Sequence, residues 1–64
     1  MKILILHDNV NENELVVLDA EDFSMVFPML AGSAVRMKSG GSDAKLVQET
    51  PAEVLRLLKE ALGQ

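Results

Sequence analysis

Residues 45–54 constrain the fold of this chain more than any other part of its sequence. They join an apolar run typical of a strand to the start of a helix, which Thr50 caps and Pro51 opens. Proline suits the first helical position because a backbone N–H there would have no partner, and Glu53 completes a capping box with Thr50. The sequence therefore predicts a strand that leads directly into a C-terminal helix over residues 51–62.

Apolar runs separated by turn-forming residues predict the strands. The clearest lies near the middle of the chain, where Val35 and Met37 alternate with Arg36 and Lys38 in the pattern of a half-buried strand. The predicted strands span about residues 2–7, 14–18, 23–27, 34–38 and 44–49. Together with the helix they predict one α+β domain over residues 1–64, in which a small antiparallel sheet of four or five strands carries the C-terminal helix on one face.

The size of the chain makes self-association the expected source of additional stability. A chain of 64 residues buries only about 60% of the surface that its unfolded form exposes. Small domains commonly add disulfides, a metal or a partner subunit. Cysteine is absent and His7 is the only histidine, so neither disulfides nor a zinc site are expected. We therefore expect a homo-oligomer with no metal and no cofactor.

The strands and the helix carry more apolar faces than a single small sheet can bury. These extra faces predict where subunits meet. The runs 3–6 and 15–18 are apolar at every position, as in sheets that are covered on both sides. The helix carries an apolar arc of roughly 160° when its residues are placed at 100° intervals. An uncovered apolar face in a folded protein usually marks an interface. The predicted contact residues are Phe23, Met25 and Phe27, placed on one strand face, the loop residues Met29 and Leu30, and Leu57 and Ala61 on the helix edge.

Charge favours a protein partner over nucleic acid. The formal net charge is −4, with only six Lys and Arg residues available to neutralise phosphates. The alternative function is a ligand-binding or nucleic-acid-binding module that uses Arg36, Lys38 and Lys45 on one basic sheet face. The absence of Tyr and Trp weighs against it, because single-strand binders usually stack bases on aromatic rings.

Catalytic and cation-binding patterns are weak. His7 and Asp8 are adjacent in a strand, so their side chains point to opposite faces and do not form an acid–base pair. The acidic loop after them has Val10 where a calcium loop needs an oxygen ligand. Asp19 is expected to cap a turn instead of binding a cation. No catalytic residue is predicted, and the chain is not expected to be an enzyme.

The apolar segments are too short for export or membrane insertion. The run at 3–6 ends after four residues at a polar pair, which is shorter than the apolar core of a signal peptide. The longest weakly polar run, 25–35, contains Pro28 and Gly32 and is far below the roughly 20 residues of a membrane helix. A cytoplasmic protein without a membrane partner is expected.

Three segments carry a family resemblance. They are the acidic turn before a hydrophobic strand at 18–23, the glycines at 32 and 40–41, and the strand-to-helix junction at 47–54. In this order they resemble the FlbD-type family of small flagellar and swarming-associated bacterial proteins, over roughly residues 14–62. The first hairpin departs from the family, because the loop 9–13 replaces an Asn-Gly turn. The resemblance implies a small α+β fold and a bacterial accessory or assembly role, with no catalytic residues to transfer.

Overall fold

The computed structural model describes residues 2–11 and 13–63. The five strands and the C-terminal helix occur in the predicted order, and part of the predicted loop 9–13 lies outside the described residues. The elements are β1 Ile3–His7, β2 Leu15–Asp19, a 3-10 turn Ala20–Asp22, β3 Phe23–Pro28, β4 Ser33–Met37, β5 Ala44–Val47 and α1 Pro51–Leu62. The Asp19 side chain caps the 3-10 turn by accepting a hydrogen bond from the Glu21 N–H. The protein is therefore an α+β fold with one helix in its described part.

The strands form two sheets, so the prediction of one sheet with four or five strands is wrong. β1 and β2 make an antiparallel hairpin, and β3, β4 and β5 make an antiparallel meander. The two sheets meet at a single bridge between Asp8 and Val47, beside which the Gln48 N–H donates to the His7 carbonyl at 2.8 Å. Pairing stops there because the chain leaves β5 to start the helix, and β5 accordingly ends two residues before the predicted boundary.

The predicted strand-to-helix junction is present, but the Glu53 carboxylate pairs with the Arg56 guanidinium and does not complete the predicted capping box. The Thr50 side chain accepts a hydrogen bond from the Glu53 N–H, Pro51 occupies the first turn, and Gly63 closes the helix in the left-handed conformation. This arrangement satisfies backbone groups that a helix end otherwise leaves without partners. Helix α1 consequently starts immediately beside the point where β5 meets β1.

The core lies between the two sheets and α1. Its fully buried centre takes residues from the hairpin, the meander and the helix, with half-buried side chains packed around it. The buried apolar members are Leu4, Leu6, Val16, Ala20, Val35, Val47 and Val54. Since each sheet contributes only one of its faces to this cluster, the fold leaves the opposite face of both sheets toward solvent.

A bulge in β3 overturns the expected placement of its large side chains on one face. Phe23 pairs with Met37, but Met25 pairs with Arg36, so the register shifts between these positions. One extra residue in a strand reverses the face on which the following side chains lie. Phe23 packs against the core, whereas Met25 and Phe27 are exposed. The prediction that these three residues share a face is therefore wrong.

Candidate interaction surface

The outer face of the β1–β2 hairpin is an uncovered aliphatic surface. Ile5 lies opposite Val17 at its centre, and Ile3 and Leu15 lie toward its two ends. These four side chains, here called the hairpin face, are 42–59% exposed. Their strand neighbours Leu4, Leu6 and Val16 point inward and are buried. The fully apolar runs in the sequence thus place one set of side chains in the core and the other in solvent.

A groove extends the hairpin face toward the helix. It has a volume of about 320 Å³ and lies where α1 runs alongside β1. Its lining residues are Ile3, Leu4, Ile5, Leu57, Glu60 and Ala61. Ile3 and Ile5 contribute to both the hairpin face and the groove, so the two form one continuous and mostly apolar surface.

The outer face of the meander carries a second apolar surface. Ala34 pairs with Phe27 on one side and with Leu46 on the other, which places these three residues in a row across the sheet. Phe27 and Leu46 are 36% and 40% exposed, whereas Ala34 is buried. Arg36, paired with the exposed Met25, interrupts this surface with a positive charge. The hairpin face, by contrast, consists of aliphatic side chains with no charged residue between them.

The predicted contact residues divide between the core and the surface. Phe23, Leu57 and Ala61 are half-buried and pack against the core, so most of their apolar surface is already used within the chain. Met29 and Leu30 lie exposed in the loop between β3 and β4, with Leu30 completely open to solvent. The helix also packs more of its apolar arc than expected. Of the six residues that form the arc, Leu55 is exposed and the other five are buried or half-buried, namely Val54, Leu57, Leu58, Ala61 and Leu62.

The strand register separates the residues of the expected basic face. Lys45 pairs with the buried Val35 and therefore lies on the same sheet face as that core residue. Arg36 follows Val35 and lies on the opposite face, where its guanidinium donates to the Gly41 carbonyl at 2.9 Å. The expectation that Arg36, Lys38 and Lys45 share one face is therefore wrong.

A histidine–glutamate pair fixes the end of β1 next to the helix start. The Glu49 carboxylate accepts hydrogen bonds from the His7 backbone N–H at 3.0 Å and lies 2.6 Å from His7 Nδ1. The Glu49 carbonyl also accepts from the buried Ser33 hydroxyl at 2.7 Å. His7 thus contacts Glu49, a residue distant in sequence. Because Glu49 also contacts Ser33, it connects both sheets to the strand-to-helix junction.

The environment of Glu49 lowers the pKa of its carboxyl group below the ordinary value. Burial acts in the opposite direction and raises this pKa, but the hydrogen bonds from the His7 side chain and backbone, together with the Glu49 backbone and the electrostatic attraction of His7, outweigh it. A carboxylate with a lowered pKa in the folded state stabilises the fold above its ordinary pKa, and this contribution disappears as the pH falls through the lowered value. Glu49 therefore stabilises the fold at neutral pH and not in strong acid.

We expect Glu49→Gln to weaken the dependence of stability on acid pH. The amide cannot ionise, so the free energy of unfolding of the variant should fall less than that of the original chain as the pH drops below about 4.3. Denaturant unfolding from pH 7 to pH 2.5 at one protein concentration measures this. Glu21→Gln, which removes an exposed carboxylate from the 3-10 turn, is the control. Parallel curves for the original chain and Glu49→Gln would contradict this assignment.

The hairpin face was only partly foreseen from the sequence. Fully apolar runs on two neighbouring strands predicted an uncovered face, but Ile3, Ile5, Leu15 and Val17 were not among the named contact residues.

No helix of the described chain is both long and apolar enough to cross a membrane. No family model, curated protein or solved structure matches the chain. The resemblance to the FlbD-type family remains a prediction.

Proposed function

We propose that this protein is a non-catalytic accessory or assembly module that acts by self-association and by contact with another protein. The hairpin face is the observation that carries the proposal. Four large aliphatic side chains lie together there at 42–59% exposure, on strands whose other face packs into the core. Contiguous exposed apolar surfaces of this kind mark interaction sites in folded proteins.

The chemistry of the hairpin face favours a protein partner. Its centre is aliphatic. At its two ends it carries one acidic residue, Asp19 beside Ile3, and one histidine, His7 beside Leu15. Aliphatic side chains gain by the removal of apolar area from water, which a second protein surface provides. The resemblance to small bacterial accessory proteins supports the same non-catalytic role.

Replacing Val17 with lysine is expected to abolish self-association. Val17 is 59% exposed at the centre of the hairpin face, so a lysine there would bring two like charges together where the copies meet, while costing the free chain little. We expect the dissociation constant to rise at least about 100-fold, corresponding to roughly 2.7 kcal/mol. Sedimentation equilibrium over a range of concentrations measures it.

Leu55→Lys is the matched control for this substitution. Leu55 is 43% exposed on α1 and lies outside the hairpin face and the groove, and the exchange of leucine for lysine hardly changes helix propensity. The control should associate like the original chain. Equal loss of association in both variants, or no loss in Val17→Lys, would contradict the assignment of the hairpin face.

A further inference from the structure

We infer that the outer edge of β2 pairs with the same edge of a second copy, joining two hairpins into one four-stranded antiparallel sheet. This inference rests on the proposed self-association and specifies its geometry. It follows from the direction of the backbone groups along β2 and from the way in which the other strand edges are protected.

The hydrogen-bonding pattern shows which backbone groups of β2 point away from β1. The Ala20 N–H donates to the Lys2 carbonyl at 2.8 Å, and the Asp8 N–H donates to the Glu14 carbonyl at 3.0 Å. Bonded pairs alternate along an antiparallel ladder, so the even-numbered residues of β2 bond to β1. The N–H and C=O groups of Leu15, Val17 and Asp19 consequently point outward. In the described chain β2 pairs with β1 alone.

The other strand edges carry protection that β2 lacks. Asp8, which directly follows β1, pairs with Val47 of β5, and α1 packs against β1. The outer edge of β3 is interrupted by a bulge and ends at Pro28, two features that discourage pairing with another chain. β2 has the sequence LVVLD, without proline, lysine or a bulge. An edge of this kind is suited to accept a strand.

A two-fold axis through Val17 gives a register without opposed like charges. In antiparallel pairing about this residue, each Val17 faces the Val17 of the second copy and Leu15 faces the second Asp19. The next residue outward, Glu14, faces the second Ala20. The acidic side chains therefore avoid one another across the seam, where opposed like charges would destabilise the pairing. The three outward residues of each copy would form about six backbone hydrogen bonds.

The two-fold arrangement is closed and also enlarges the hairpin face. An isologous contact uses the same surface on both copies and stops at a dimer, whereas pairing the edge of one strand with a different edge would propagate into a fibre. In the dimer, Val17 and Leu15 of both copies lie on one side of a continuous sheet with Ile3 and Ile5. The joined surface is about twice the hairpin face, which is the kind of platform that a protein partner would contact.

The test removes the central backbone donor without changing a side chain. A synthetic chain N-methylated at Val17 loses the outward N–H while the ladder to β1 is kept. We expect its dimer dissociation constant to rise at least about 100-fold, since the central pair of hydrogen bonds is lost and the methyl group blocks the approach of the second strand. N-methylation at Leu30, in the exposed β3–β4 loop, is the matched control and should leave the constant within about threefold of the original.

Ile5→Lys distinguishes edge pairing from stacking of two hairpin faces. Ile5 lies on the hairpin face but on β1, one strand away from the seam. We expect this variant to dimerise within about tenfold of the original chain. Unchanged dimerisation of the chain methylated at Val17, with loss of dimerisation in Ile5→Lys, would overturn edge pairing and leave the proposed self-association standing. A monomeric original chain would overturn both, and circular dichroism spectra that match the original would show that each variant is folded.

Discussion

Replacing Gly32 with alanine is expected to destabilise the protein more than any other single substitution. Gly32 has a φ of +87°, and a Cβ atom added there would lie 2.0 Å from the Val47 carbonyl oxygen and 3.0 Å from backbone atoms of Gln48. These neighbours are backbone atoms of β5 and the junction, so they cannot move without disturbing the contact between the two sheets. We expect a loss of about 3 kcal/mol or more from the free energy of unfolding.

That loss is large for a chain of this size. A domain of 64 residues has a free energy of unfolding of about 3 to 10 kcal/mol. Gly41→Ala is the control, because Gly41 also has a positive φ, of +61°, but has nothing within 4 Å of the added Cβ. It should lose about 1 kcal/mol, from backbone strain alone. Chemical denaturation at one protein concentration compares the two, and equal losses would contradict the importance of the close approach at Gly32.

Replacing Leu6 with alanine is expected to have the second largest effect. Leu6 is completely buried in β1, where it belongs to the core shared by the hairpin, the meander and α1. Truncating a buried leucine removes transfer free energy and leaves a cavity, at a cost of about 2 to 5 kcal/mol. Because the core draws on all three units, we expect unfolding to remain a single cooperative transition at a lower denaturant concentration.

Val10→Ala is the control for the core substitution. Val10 is 73% exposed in the loop between β1 and β2 and should change the free energy of unfolding by no more than about 0.5 kcal/mol. Denaturant curves followed by circular dichroism measure both variants. A loss below about 1 kcal/mol for Leu6→Ala, where at least about 2 is expected, would contradict a core centred between the two sheets.

Local features of the sequence predicted the elements of the fold. The cap residue Thr50, followed by Pro51, fixed the start of the helix, and the acidic residue Asp19 fixed the short turn after β2. Interactions between residues close in sequence dominate at these positions, and side-chain hydrogen-bonding chemistry largely decides them. The boundaries of the strands followed from the same kind of local pattern to within two residues.

Arrangement in space depended on contacts that local patterns do not encode. The division into two sheets arises where Gln48 and Val47 meet the end of β1, about 40 residues away in the chain. The bulge after Phe23 is equally invisible in the sequence, because the large residues at 23, 25 and 27 alternate as they would in a regular strand. A single extra residue was enough to move Phe23 into the core and leave Met25 outside.

The candidate surface was predictable in kind and not in position. Two fully apolar runs showed that the chain has more apolar residues than its core can bury, because these residues can be counted in the sequence. To identify Ile5 and Val17 as exposed, one must know which face of each strand meets the helix. A shift of one residue in the strand would have exchanged the buried and the exposed residues. Leu57 and Ala61 were predicted as contacts but are partly used by the core.

The molar mass of the original chain in solution tests the central claim most directly. The monomer has a mass of 7.0 kDa. Sedimentation equilibrium at increasing concentration should give a mass that rises toward about twice that value and then stays constant, as expected for a closed two-fold interface. A mass of 7.0 kDa at every concentration up to about 1 mM, where even weak interfaces associate, would contradict self-association through the hairpin.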